Sequence, residues 1–177
     1  RIVSQLFKQI FPKPGKTLNE TIPSIILRSS DISLASFISG FFDAGGAFID
    51  SLFINRPNQD SIGVFASSEG TINNLGLTNV FFVGNDNVGG LAGINTGTIE
   101  NVYVTGAITG NSNVGGIAGK SNGVLSTSYT DVNVEGEEAI GGIVGLAENQ
   151  QINETYTIGE VNGTTSGPII GDGQSAI

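Results

Sequence analysis

One anchor recurs along this chain at a fixed interval. It is an apolar residue, usually two glycines, two small or apolar residues and a final small residue. It reads "IGVFAS" (62–67), "VGGLAG" (88–93), "VGGIAG" (114–119), "IGGIVG" (140–145) and, in degraded form, "SGPIIG" (166–171). Each begins 26 residues after the last. Four equal intervals in succession limit the fold sharply, because a period of about 20–50 residues marks units that stack on one another.

A second block follows each anchor: "GTINNLGL" (70–77), "GTIENVYV" (97–104), "GVLSTSYT" (123–130) and "QQINETYT" (150–157). A looser third block closes each unit: "NVFFVGN", "GAITGN", "DVNVEGE" and "IGEVNG". The blocks are short, rich in β-branched residues and separated by Gly/Asn turns, so each unit is expected to hold three short β segments. Helical repeats need two amphipathic helices per unit, which these segments cannot make. A sandwich does not require one fixed period. A coil that winds once per repeat does, because every strand must stack on its equivalent.

Stacking predicts columns. One holds Phe65, Leu91, Ile117, Ile143 and Ile169; a second holds Ile62, Val88, Val114 and Ile140; a third holds Ile72, Ile99, Leu125 and Ile152. An aromatic column joins Tyr103, Tyr129 and Tyr156, read as a stacking support, and Asn87 aligns with Asn113. The paired glycines are expected to turn the chain sharply where the neighbouring coil leaves no room for a side chain. The predicted fold is therefore all-β: a parallel β-helix, a solenoid expected to be right-handed, of about five 26-residue coils. With strands about 4.8 Å apart, the rod is about 24 Å long.

Residues 1–61 differ. "RIVSQLFKQIF" places Ile2, Val3, Leu6, Phe7 and Ile10 on one face of a short helix that ends before Pro12 and Pro14. A first coil exposes an apolar cross-section, and an amphipathic helix would cap it. The apolar run 32–54 is interrupted by Asp43, Gly45, Gly46 and Asp50, which favours two buried strands over a membrane span. The expected organisation is a cap helix and lead-in coil over 1–61 and the repeats over 62–177, as one continuous structural domain. The chain has no initiating Met or signal peptide, and it reads as part of a longer one.

The anchors "GGLAG", "GGIAG" and "GGIVG" resemble the GLUG repeat of large bacterial surface and secreted proteins. That family includes filamentous-haemagglutinin-like adhesins and the stalk of some IgA1-specific metallopeptidases. Residues 41–66, "FFDAGGAFIDSLFINRPNQDSIGVFA", are similar to the lead-in coil before such repeats, departing from it at Ala44 and Ala47. The last repeat departs at Pro168. The resemblance covers roughly residues 41–171 and implies architecture more than activity. The family's peptidases use a His-Glu-x-x-His zinc site, and this chain has no histidine.

Composition bears on function through charge. The chain carries 16 acidic and 7 basic residues, and from residue 62 onward Lys120 is the one cation. Such a surface repels phosphate, so neither nucleic acid nor membrane insertion is expected. Without Cys or His, thiol chemistry, catalytic triads and soft-metal sites are excluded. Glu137 and Glu138 are adjacent in a turn, while Glu100, Asp131 and Glu154 are scattered, so no pair fit for glycoside hydrolysis is evident. A lyase would need basic neutralisers that Lys120 alone does not supply. The Asp- and Asn-rich turns "GNDN" (84–87) and "GDG" (171–173) read as solvated turns ahead of calcium sites. Sequons at Asn19, Asn153 and Asn162 matter only if the source is a secreting eukaryote.

The expected function is a non-catalytic, extended segment of a bacterial adhesin, extracellular or at the cell surface, with no cofactor and no metal. It would bind a host or bacterial surface glycan or protein, matrix, or itself. The alternative is a carbohydrate-acting β-helix or the stalk of a secreted peptidase.

Overall fold

The computed structural model describes residues 47–148 and 150–174. The predicted cap helix over Ile2–Ile10 lies outside the described residues, as does most of the apolar run 32–54. Of that run, β1 (Ala47–Asp50) and β2 (Phe53–Asn55) are strands. They are not fully buried as expected, because Phe48 and Phe53 face outward while Ile49 and Ile54 pack on the core.

After these, the first coil holds β3 (Phe65–Ser68) and β4 (Thr71–Val83). The second holds β5 (Asp86–Gly89), β6 (Ala92–Asn95) and β7 (Thr98–Thr109). The third repeats this as β8 (Ser112–Gly115), β9 (Ala118–Ser121) and β10 (Val124–Glu135). The fourth has β11 (Glu138–Gly141), β12 (Val144–Glu148), β13 (Gln151–Thr157) and β14 (Val161–Asn162). The last comprises β15 (Ser166–Gly167) and β16 (Ile170–Gln174).

Each of these strands pairs with its counterpart one coil away, always in parallel. One sheet runs β1-β4-β7-β10-β13, with β2 on β4 and β14 on β10; a second runs β5-β8-β11-β15; a third runs β3-β6-β9-β12-β16. This is a parallel β-solenoid of about five coils, as the period predicts. No helix is present among the described residues, and none is long and apolar enough to cross a membrane.

The division of each unit differs from expectation. In the first three units the second and third blocks do not form separate segments: they run together as one long strand that bends without breaking, whereas in the fourth they remain apart as β13 and β14. Residues in the left-handed region make the bends, at Asn74 and Asn79 in β4, Asn101 in β7 and Thr127 in β10. Asparagine tolerates this conformation because its short polar side chain bonds locally. The anchor, read as one segment, is split into two short strands on either side of the second glycine.

The glycine pairs do not owe their place to a left-handed turn. That conformation falls instead on the residue before each of the first four anchors, at Ser61, Asn87, Asn113 and Ala139. The glycines are there for contact. A Cβ on Gly89 would lie 2.6 Å from the Cα of Ala118, and one on Gly119 would lie 2.4 Å from the carbonyl carbon of Asn87. The second and third sheets thus meet backbone to backbone, with no space for a methyl group.

Two of the predicted apolar columns are built as written: Ile62–Val88–Val114–Ile140 and Ile72–Ile99–Leu125–Ile152. The third is corrected at its first member. Phe65 is in register with Ala92, so Val64, itself buried, takes the place beside Leu91. "IGVFAS" has one glycine where the others have two, and the missing residue shifts the register by one from Phe65 to Leu77, until the irregularity before Val80 restores it. Among the described residues the Gln150 side-chain amide is buried with no hydrogen-bond partner, but other polar groups of the interior are paired. The Asn95 amide donates to Ser121 Oγ at 3.1 Å and to the Gly97 carbonyl at 3.3 Å, and Thr130 Oγ1 donates to the Gly142 carbonyl at 2.7 Å.

Candidate binding surface

The long strands of the first sheet put alternate side chains on the outside of the rod. On that face Tyr103, Tyr129 and Tyr156 stack as predicted. Centroids are 5.4 Å apart with planes 11° from parallel for the first pair, and 5.1 Å and 4° for the second. Rings stacked this closely cover each other's faces and turn their edges to solvent. At the other end, Tyr103 spreads over Gly76, where a Cβ would lie 2.2 Å from its ring. Tyr156 ends the stack among the described residues and is 53% exposed. Burial first, then the Tyr156 and Tyr103 hydroxyls and Asp131, pushes the Tyr129 phenol above its ordinary value.

A second stack, missed in the sequence, joins Phe53 and Phe81 on the same sheet at 5.5 Å and 6°. The signal was available: the two are in register once β2 is aligned with β4. That alignment lies outside the 26-residue repeat, so counting the period did not find it.

The bends carry polar ladders. Asn113 Nδ2 donates to Asn87 Oδ1 at 3.1 Å, confirming that alignment, and Asn101 donates to Asn74. Asn85 Nδ2 donates to Asp60 Oδ1 at 2.8 Å, and Asn111 Nδ2 to Asp86 Oδ1 at 3.1 Å. These asparagines use carboxylates of the coil below as acceptors, which orders the "GNDN" turn. Asp50 accepts from Thr78 Oγ1 at 2.6 Å and Asn79 Nδ2 at 2.9 Å. Those bonds, Thr78's first, hold its carboxyl below the usual aspartate value.

Lys120, the lone cation of the repeats, is bound to Glu148 of the next coil at 3.0 Å. Both are about one-third exposed, so the pair contributes little to stability. The carboxylates weighed for hydrolysis do not gather. Glu100, Asp131 and Glu154 lie on three different strands of the first sheet, whereas Glu138 begins β11 of the second and Glu137 precedes it. Among the described residues, no group of three or more His, Cys, Asp or Glu is placed to hold a metal ion.

Three parallel sheets, columns at a fixed period and outward aromatic and asparagine ladders define a parallel β-solenoid of stacked repeats. Residues 84–109, one full unit, match the family model described as "The GLUG motif", and the coils on either side repeat that unit's strand pattern. Among curated proteins, the chain is similar to halomucin from Haloquadratum walsbyi (strain DSM 16790 / HBSQ001). The two are 38% identical over 72 residues, which cover 40% of this chain and 1% of halomucin. The chain therefore matches a very small part of that relative. No solved structure matches the chain.

Proposed function

We propose that this chain is a stiff, non-catalytic segment of a surface or secreted protein that works by presenting its outer face to a partner. The observation that carries this reading is the parallel pairing of the first sheet from coil to coil, which continues through a one-residue register shift between Leu77 and Val80. Backbone hydrogen bonds run along the rod axis and stiffen it, and the outward tyrosine column repeats over three successive coils. The GLUG motif and the similarity to halomucin support a place in a large repeat protein. The partner is a cell-surface or matrix glycan or protein, or another copy, engaged through the turns and the outward face of the first sheet.

The purified domain, screened against uronic-acid and neutral glycans and against matrix proteins, is expected to bind without changing any of them. Turnover of a glycan that disappears in Glu137→Gln, Glu138→Gln or another carboxylate variant would overturn the non-catalytic reading.

A further inference from the structure

Three Asn-x-Thr tripeptides occur in the sequence, beginning at Asn19, Asn153 and Asn162. Asn19 lies outside the described residues. The structure treats the other two differently.

Asn153–Thr155 straddles the bend at Glu154, whose φ is 50°. Asn153 is exposed, but Thr155 is half-buried and in register with Ser128, which is 2% exposed. A transferase that must read the amide and the hydroxyl together cannot reach both from outside. Asn162, Gly163 and Thr164 are all exposed. The fold holds them by the backbone: the Asn162 carbonyl accepts from Gly136 N at 3.1 Å, and Thr164 N donates to the Glu137 carbonyl at 2.8 Å. The middle position is a glycine for a core reason, since a Cβ there would lie 2.4 Å from Ile140 Cγ1. Both reactive side chains are left on the outside of a corner.

The amide of Asn162 is also uncommitted. Asn79, Asn85, Asn95, Asn101, Asn111 and Asn113 each donate Nδ2 to a side chain of another coil. Asn162 donates no such bond among the described residues.

We propose that Asn162 is an N-glycan acceptor in the folded protein and that Asn153 is not. The inference rests on the extracellular part of the proposed function, because the donor belongs to the secretory route. Asn162 Nδ2 would attack the anomeric carbon of a lipid-linked oligosaccharide. The C–N bond forms, the C–O bond to the lipid phosphate breaks, the phosphate leaves with the electron pair, and one amide proton passes to a base.

The folded chain, incubated with a sequon-reading oligosaccharyl transferase and its lipid-linked donor, should gain glycan at Asn162 and none at Asn153 by peptide mass spectrometry. The heat-unfolded chain should be modified at both. Asn162→Gln should abolish the modification of the folded chain with the melting temperature unchanged, and Asn153→Gln should leave it intact. Modification of folded Asn153, or a bare Asn162 in the folded chain, overturns the inference. Protein recovered from its own cells separates the two readings. Extracellular protein with bare Asn162 sinks this inference alone, whereas protein confined to the cytosol sinks the extracellular reading and this inference with it.

Discussion

The Tyr129 ring lies flat on the Tyr156 ring, 5.1 Å between centroids and 4° from parallel, although the two belong to successive coils. Tyr103 covers its other face. Tyr129→Ala removes two stacked contacts, each about 0.5–1.5 kcal/mol beyond area burial, so stacking alone should account for about 1–3 kcal/mol of the loss, with the buried area of the ring adding to it. Tyr129→Phe keeps both rings and should retain most of the stability. Urea unfolding of the two variants measures the difference.

The same stack makes the fold sensitive to base. A phenol whose pKa is raised on folding is favoured in its neutral form. Its stabilisation is complete below the unfolded tyrosine value of about 10 and is lost as pH rises through the folded value. The melting temperature should therefore fall in alkali, and less so in Tyr129→Phe. A parallel fall in both proteins would show that Tyr129 is not responsible.

Inside the rod, Ile117 is fully buried between Leu91 and Ile143 of the neighbouring coils. Ile117→Asp puts a carboxylate there with no partner and should cost several kcal/mol, enough to unfold a marginal domain. Asn122→Asp, in an exposed turn, should change little. Similar melting curves for the two variants would mean that the inward face is wrongly assigned.

These residues also show what could be read from the sequence. The solenoid and the columns through Ile99 and Val114 were legible because stacking forces chemically similar residues to recur at one interval. Counting the interval failed at Phe65, where a missing glycine moved Val64 into the column. Conformation was less legible than position. The left-handed bends fell on Asn74, Asn87 and even Ala139, because neighbouring coils impose the backbone path whatever the residue prefers. The candidate surface was legible in its tyrosines, which share the repeat. The Phe53–Phe81 stack and the Lys120–Glu148 pair depend on registers between coils that period counting does not supply.

Backbone contact through glycine is the feature on which the whole coil rests, and one comparison tests it most directly. A Cβ on Gly119 would lie 2.4 Å from the Asn87 carbonyl carbon, whereas one on Gly70 would meet nothing within 4 Å. Gly119→Ala must push two sheets apart and should cost about 1–3 kcal/mol or more. Gly70→Ala should be neutral or gain up to about 1 kcal/mol by restricting the unfolded chain. Thermal unfolding of both variants beside the parent chain should show Gly119→Ala melting well below it and Gly70→Ala at or above it. Two variants that melt together would contradict the close packing of the sheets.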